Sequence, residues 1–343
     1  MKNVLKVTFV IIGTMIGAGF ASGKEIFLFF NSYGIKGFVG VLISTLLSSY
    51  IIAKVFEIVK NKDIQNYGEF LECLHPSQKE KGIKVNTILN AMIQIFLLIT
   101  FYIMIAGFSA YFSQEIGVSG MVGSILIGVL CYFTFMGNQE GIAKANTLLV
   151  PVLILMIVVL GIKGIRAEEL MGEIGISYTR EGSWLVSSLL YASYNSILLI
   201  PILITMKSYI QKKRDVFSIV FLCFIVLSVL AAIIYLLIQT IPIDVNKLEL
   251  PMVYIAGKLG LIFKYIYGFV ILSSIFTSAI SAGYSFLENT TKQAKAYRIV
   301  CFFICISSIL VSKVGFSNLV SSLYPIFGYL GLIQILMIYR IKV

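Results

Sequence analysis

Charge is what this chain has least of. Asp, Glu, Lys and Arg make up 13% of its 343 residues, where an ordinary soluble domain carries about a quarter. It has one histidine, His75 beside Pro76, and no His-Glu-x-x-His run, so a zinc protease is excluded. A Walker lysine loop and a Gly-x-Ser-x-Gly elbow are also missing, which removes ATP-driven transport and the serine hydrolases. The five cysteines (Cys73, Cys131, Cys223, Cys301, Cys305) show no Cys-x-x-Cys or metal spacing. The chain reads as a non-enzyme without catalytic residues, cofactor or resident metal.

What it has instead is apolar length. Hydrophobic residues reach 59% and the mean hydropathy is +0.96, values of a polytopic membrane protein with the lipid bilayer as its solvent. Ten spans can be cut, at roughly 5–31, 35–57, 85–112, 119–137, 146–162, 183–206, 215–241, 259–287, 296–312 and 315–339. The first follows Lys2 and Lys6 as a signal peptide would, but its apolar run continues through Phe30, so it is read as an uncleaved helix. With the N-terminus inside, eighteen Lys and Arg are assigned to the cytoplasmic side and eight to the outside, leaving only Lys24 in the membrane region. The net charge of +11 is therefore a topology signal rather than a nucleic-acid footprint. Both termini are expected in the cytoplasm of a plasma-membrane, multi-pass protein, and Trp184 is expected at the outer interface.

Five spans in each half force the second half to enter from the opposite side, which is an inverted repeat of 5–163 on 183–340. The loops after spans two and seven both carry short amphipathic stretches, Tyr67–Glu72 and Met252–Gly257. Within span one, residues 13–23 hold four glycines, Gly13, Gly17, Gly19 and Gly23. Glycine disfavours helix and admits close approach, and an unwound stretch inside a bilayer persists only where it is buried or lines a cavity. A broken span one is expected, with helix packing through Gly-x-x-x-Gly as the alternative. By symmetry span six should break too, at Tyr191-Ala-Ser-Tyr-Asn-Ser196 ahead of Pro201, unless these polar side chains bond back to their own helix.

The run Gly13-Thr-Met-Ile-Gly-Ala-Gly-Phe20 resembles the first-helix motif of the amino acid, polyamine and organocation (APC) transporter superfamily, whose fold is LeuT-like. The loop Asn138–Ala145 is similar to the Asn-x-x-Gly loop of its amino acid permeases, and Gly13 through Glu25 taken whole resembles the YkvI-type family of bacterial membrane proteins. The resemblance implies an all-α, ten-helix 5+5 architecture with helices one and six broken. It also implies that N–H groups of Gly17, Ala18 and Gly19 meet a substrate carboxylate while the carbonyls of Gly13 and Ile16 face an ion. Tyr102 in span three and Tyr191, Ser193, Tyr194 and Asn195 in span six would complete the pocket.

Ser274, Thr277 and Ser278 share one helical face at i, i+3 and i+4, and their hydroxyls suit a hard cation. This spacing resembles the sodium site between helices one and eight of LeuT-like symporters. Lys24 and Glu25 are costly intramembrane charges that point about 100° apart on a helix, so they do not neutralise each other. Glu25 is a candidate proton carrier, which would make H⁺ the coupling ion in place of Na⁺. Lys24 is a candidate gate residue, although span ten offers no acid to pair with it. The expected function is cation-coupled secondary transport of a small amphipathic solute, an amino acid by resemblance. A non-transporting sensor and a passive channel remain as alternatives; a channel calls for a continuous polar lining, whereas polarity here concentrates in two spans.

Overall fold

The computed structural model describes residues 2–74, 79–137, 140–166, 178, 180–210, 212–291 and 293–341, and among these it contains helices and no strand. His75, Asn138, Gln139 and the side chains of 140–145 lie outside the described residues, and with them the Asn-x-x-Gly loop. The first apolar segment consists of α1 (Lys2–Met15), α2 (Ala18–Ser22) and α3 (Lys24–Phe29). There follow α4 (Ile35–Asn61), α5 (Tyr67–Leu74), α6 (Lys79–Tyr111), α7 (Gly120–Met136) and α8 (Glu140–Arg166). The second half holds α9 (Trp184–Met206), α10 (Lys213–Gln239), α11 (Pro251–Lys258), α12 (Leu261–Thr290), α13 (Ala294–Val311) and α14 (Phe316–Arg340).

Seven of these helices are long and apolar enough to cross a membrane. The shorter apolar stretches Asn3–Met15, Gly120–Met136 and Leu149–Gly164 overlap the three remaining predicted spans. Length and composition thus give seven candidate crossings among the described residues. Large apolar side chains stand exposed on the bundle's outside, among them Phe217 and Phe221 on α10, Phe269 on α12 and Phe303 on α13. Such a surface would aggregate in water and is solvated by lipid tails.

With lipid outside, tight packing must come from small residues that let backbones approach. Where α9 crosses α14, a Cβ on Gly331 would strike the Ser193 carbonyl and one on Gly328 would strike Leu190. Gly40 of α4 is covered by Ser188 of α9, and Gly283 of α12 by Phe101 and Phe135. Across α4 and α10 the hydroxyls of Thr45 and Ser228 bond at 2.8 Å. The two amphipathic stretches both form eight-residue helices, α5 after α4 and α11 after α10.

The expected break in span six is not there. α9 runs unbroken from Trp184 to Met206, with Pro201 inside it. Its polar cluster turns back on its own carbonyls: Ser193 donates to Leu189, Asn195 to Tyr191 and Ser196 to Ser193. These bonds satisfy the side chains within the helix and leave no need for it to unwind.

Candidate functional site

The break in the first segment does form, and it is double. Helix α1 closes with the Ile16 N–H on the Ile12 carbonyl at 2.8 Å, and the ladder resumes only at Ala21 N–H on the Gly17 carbonyl at 3.0 Å. Gly17 between them is extended, with φ −77° and ψ −177°. Among the described residues, the N–H groups of Gly17, Ala18, Gly19 and Phe20 have no hydrogen-bond acceptor, although Ala18, Gly19 and Phe20 are buried. A second interruption follows at Gly23, whose φ of +82° is left-handed and costs a non-glycine residue roughly 1–2 kcal/mol. Ser22 steadies this turn, donating to the Gly19 carbonyl and accepting from Lys24 N–H.

The four glycines do different things. A Cβ on Gly13 would press on Val150 of α8, so this glycine serves close helix packing, the alternative reading of the motif. A Cβ on Gly17 would meet nothing within 4 Å. Gly19 lies directly beneath the carboxyl group of Glu25, and Gly23 supplies the left-handed turn. Open space therefore adjoins the unbonded N–H groups at one glycine out of the four.

The turn at Gly23 sends Lys24 and Glu25 to different destinations. Lys24 is buried, and its Nζ donates to the carbonyls of Leu248 at 2.8 Å, Val245 at 3.1 Å and Asn246 at 3.4 Å. Its partner is thus the backbone of the loop joining α10 to α11, which could not be named from the sequence. Other residues fasten the same loop. Gln114, in a widened turn ending α6, accepts from the N–H groups of Glu249 and Leu250, and the Glu249 carboxylate accepts from Ser317 N–H at the start of α14. Tyr178 donates to Asp244 and accepts from Val245 N–H. The Asn246 N–H, the largest of several partners, holds the Asp244 carboxyl below its ordinary range.

Glu25 points into the protein. It is 4% exposed, and its Oε2 accepts from the Tyr194 hydroxyl at 2.5 Å. The Tyr194 ring is stacked between Phe29 of α3 at 5.6 Å and Tyr324 of α14 at 4.8 Å. No ion pair involves Glu25 among the described residues. Phe29 also lines a cleft of about 290 Å³ between α3, the start of α9 and α14, where Arg180, Ser183, Ser187 and Tyr329 are exposed to its space.

Not all of the expected site residues converge. The Tyr102 hydroxyl bonds to Ser307 of α13 at 2.8 Å and is thereby committed to helix packing. The hydroxyl of Ser193 and the amide of Asn195 are used within α9, as described above. Tyr191 packs edge-on against Phe29 and Phe30, which brings it to the same aromatic group as Tyr194. On α12, Ser274 and Thr277 are buried and Ser278 is half-buried. Thr277 donates to the Ser273 and Ser274 carbonyls, both at 3.1 Å, which leaves its oxygen lone pairs free to face a cation. Tyr324, stacked on Tyr194, and Tyr267, donating to the Ala21 carbonyl at 2.6 Å, adjoin the broken segment, although nothing in the sequence pattern marks them for it. With nineteen tyrosines in the sequence, only Tyr324's position before Pro325 distinguished either of them.

A bundle with a broken, buried first segment can be compared with known proteins. No family model matches the chain. It is similar to the uncharacterized membrane protein YkvI of Bacillus subtilis (strain 168), with 26% identity over 329 residues covering 95% of this chain and 92% of that protein. It is also similar to the uncharacterized protein YyaD of the same organism, at 23% identity over 96% of this chain and 94% of that one. Among solved structures it superposes on Mhp1 in an inward-facing conformation with a TM-score of 0.64, at 10% identity over 94% of this chain and 73% of that one. The fold is LeuT-like, and the chain is a homologue of YkvI. A Na⁺-coupled sialic acid symporter gives a TM-score of 0.60, at 14% identity over 95% of this chain and 75% of that one. MhsT in complex with L-phenylalanine gives 0.58, at 18% identity over 96% and 87%. The similar solved structures include a Na⁺-coupled symporter and a manganese transporter.

Proposed function

We propose that the chain is a secondary active transporter that moves a small amphipathic solute, an amino acid in the first instance, by alternating access. The observation that carries this reading is the break at Ile16 and Gly17. Four backbone N–H groups stand unbonded there inside a membrane bundle, beside space that no side chain fills. Buried donors of this kind demand an acceptor, and a solute carboxylate at the end of a short helix provides one. The site would be lined by Gly17, Ala18 and Gly19 with the aromatic faces of Tyr191 and Tyr194, while Tyr102, Ser193 and Asn195 serve helix packing around it.

The proposed architecture has ten spans as two inverted halves, 5–163 and 183–340, in the APC superfamily, with both termini cytoplasmic on the strength of the Lys and Arg bias. The pairing of α5 with α11 supports the repeat. Coupling is to a small cation. Na⁺ would lie among the carbonyls of Gly13 and Ile16 and the hydroxyls of Ser274, Thr277 and Ser278, and H⁺ would use Glu25. The test is uptake by proteoliposomes of a labelled amino acid panel under imposed Na⁺ and pH gradients. Accumulation of at least one solute driven by one gradient is expected, whereas leak without accumulation would mark a channel and binding without uptake would mark a sensor.

A further inference from the structure

Among the described residues, Glu25 is the one carboxyl buried between the break and the cleft, and its surroundings are unusual. Its Oε2 is taken by the O–H of Tyr194, and its other oxygen lies over the Cα of Gly19. Among the described residues, the elements packed against α3 bring no cation to this carboxyl. From α9 come Tyr191 and Tyr194, and from α14 Tyr324, all neutral phenols. The charged residues of α10, Lys213, Arg214 and Asp215, lie at its first turn, whereas α10 meets the start of α3 and the segment after it through its last turns, where Ile234 and Ile238 face Gly23 and Asn31 donates to the Tyr235 carbonyl. Lys24 on the same helix is turned away and bound to loop carbonyls. A carboxylate removed from water with no cation and a single donated bond is very costly, and a proton removes that cost. A metal cation would not serve as well, since hard cations want about six oxygens and the walls here are aromatic rings and a glycine.

The position also suits a carrier. Phe29, which lines the 290 Å³ cleft, stacks on the ring of Tyr194, whose hydroxyl donates to the carboxyl, so the path from cleft to carboxyl runs through this aromatic pair. On its other side Gly19 belongs to the short helix that begins at the break, two residues from the open space at Gly17. A carboxyl held between a cleft and a break can be exposed to water from either in turn.

We infer that Glu25 is the coupling-ion site of this chain and that the ion is a proton. It is received from hydronium through the cleft when the Phe29–Tyr194 pair separates, and returned to water at the break when α2 and α3 shift. The O–H bond forms at the oxygen not held by Tyr194 and later breaks at that same atom, leaving the carboxylate with no electron transferred. The inference deepens the transporter reading and rests on it for the coupling, though not for the proton site itself.

The experiment has two arms. Infrared difference spectra of the purified full chain in lipid nanodiscs, at neutral and alkaline pH, should show a carboxylic acid C=O stretch that titrates away and is missing in Glu25→Gln. Tyr194→Phe, which keeps the ring and removes the donor, should move that band to higher frequency because a hydrogen bond to a carbonyl weakens the C=O bond. In proteoliposomes with the same amino acid panel, Glu25→Gln should exchange solute at equilibrium while its pH-driven accumulation ratio falls to one. A spectrum with no acid band, or a band unchanged by Glu25→Gln, overturns the proton site and leaves the transporter reading standing. Accumulation that follows a Na⁺ gradient and survives Glu25→Gln overturns it as well. An acid band that behaves as expected, in a protein that moves none of the panel, supports the proton site and counts against the transporter reading alone.

Discussion

Gly19 and Gly17 are two residues apart, chemically identical and embedded in the same motif, yet the structure assigns opposite consequences to replacing them with alanine. A Cβ on Gly19 would run into the carboxyl oxygen, Cδ and Cγ of Glu25, so the Glu25 side chain must move. Overpacking a filled site costs about 1–3 kcal/mol, and displacing the carboxyl also forfeits the bond from Tyr194, worth about 1 kcal/mol. Alanine regains about 1 kcal/mol of helix preference at this position within α2. The net loss is then about 2 kcal/mol, roughly a thirtyfold shift of the folding equilibrium. At Gly17 the Cβ meets nothing within 4 Å, and φ −77° with ψ −177° is extended backbone that any residue adopts. Gly17→Ala should be neutral or stabilising by about 0.4–1 kcal/mol through the unfolded chain. Denaturant titration of both variants in mixed micelles, read by circular dichroism, measures the difference. Equal destabilisation by the two would refute the assignment of open space to Gly17 and of contact to Gly19.

Lys24→Met removes the ammonium that holds three loop carbonyls, and a charged hydrogen bond contributes about 1.5–3 kcal/mol; a cysteine placed at the fully buried Val245 should then react with a water-soluble maleimide at least tenfold faster than with Lys24 intact. Tyr102→Phe should cost about 1 kcal/mol of stability through loss of its bond to Ser307, with solute affinity unchanged; a large drop in affinity would restore Tyr102 to the pocket. Replacing Thr277 and Ser278 together by Ala should leave pH-driven uptake intact, and loss of all gradient-driven uptake would place the ion on α12 instead. Lys207 donates to Asp63 and holds its carboxyl below the ordinary carboxylate range. The contribution of this exposed tether is present above the unfolded carboxylate's range and is lost as pH falls through the folded value. Asp63→Asn should therefore flatten any fall in thermal midpoint that sets in as pH drops into and below the ordinary carboxylate range.

Span positions were legible because a bilayer imposes one length and one polarity on every crossing; nearly all the long helices begin and end within a few residues of the hydropathy cuts. The break at Gly17 was legible too, since clustered glycine has few other uses in an apolar helix. The four glycines could not be sorted from one another, because only a neighbour such as Val150 or Glu25 distinguishes packing from contact and contact from empty space. The expected break in span six failed for a reason visible in its own residues: Ser and Asn can satisfy themselves on the helix that carries them. Lys24 could not be matched because its partners are carbonyls of residues 245–248, which every residue possesses and no composition betrays. Tyr194 was in view only as one of several polar residues, and its pairing with Glu25 spans 169 positions of sequence.

Alternating access at the break is the central claim, and Gly17 is the place to measure it, since its Cβ would face open space and a cysteine fits there without displacing a neighbour. In a chain whose five native cysteines have been replaced, Gly17→Cys should be modified by a membrane-impermeant thiol reagent added to either side of sealed proteoliposomes, and a transported solute should slow both reactions. Modification from one side only, or from neither, would contradict the account.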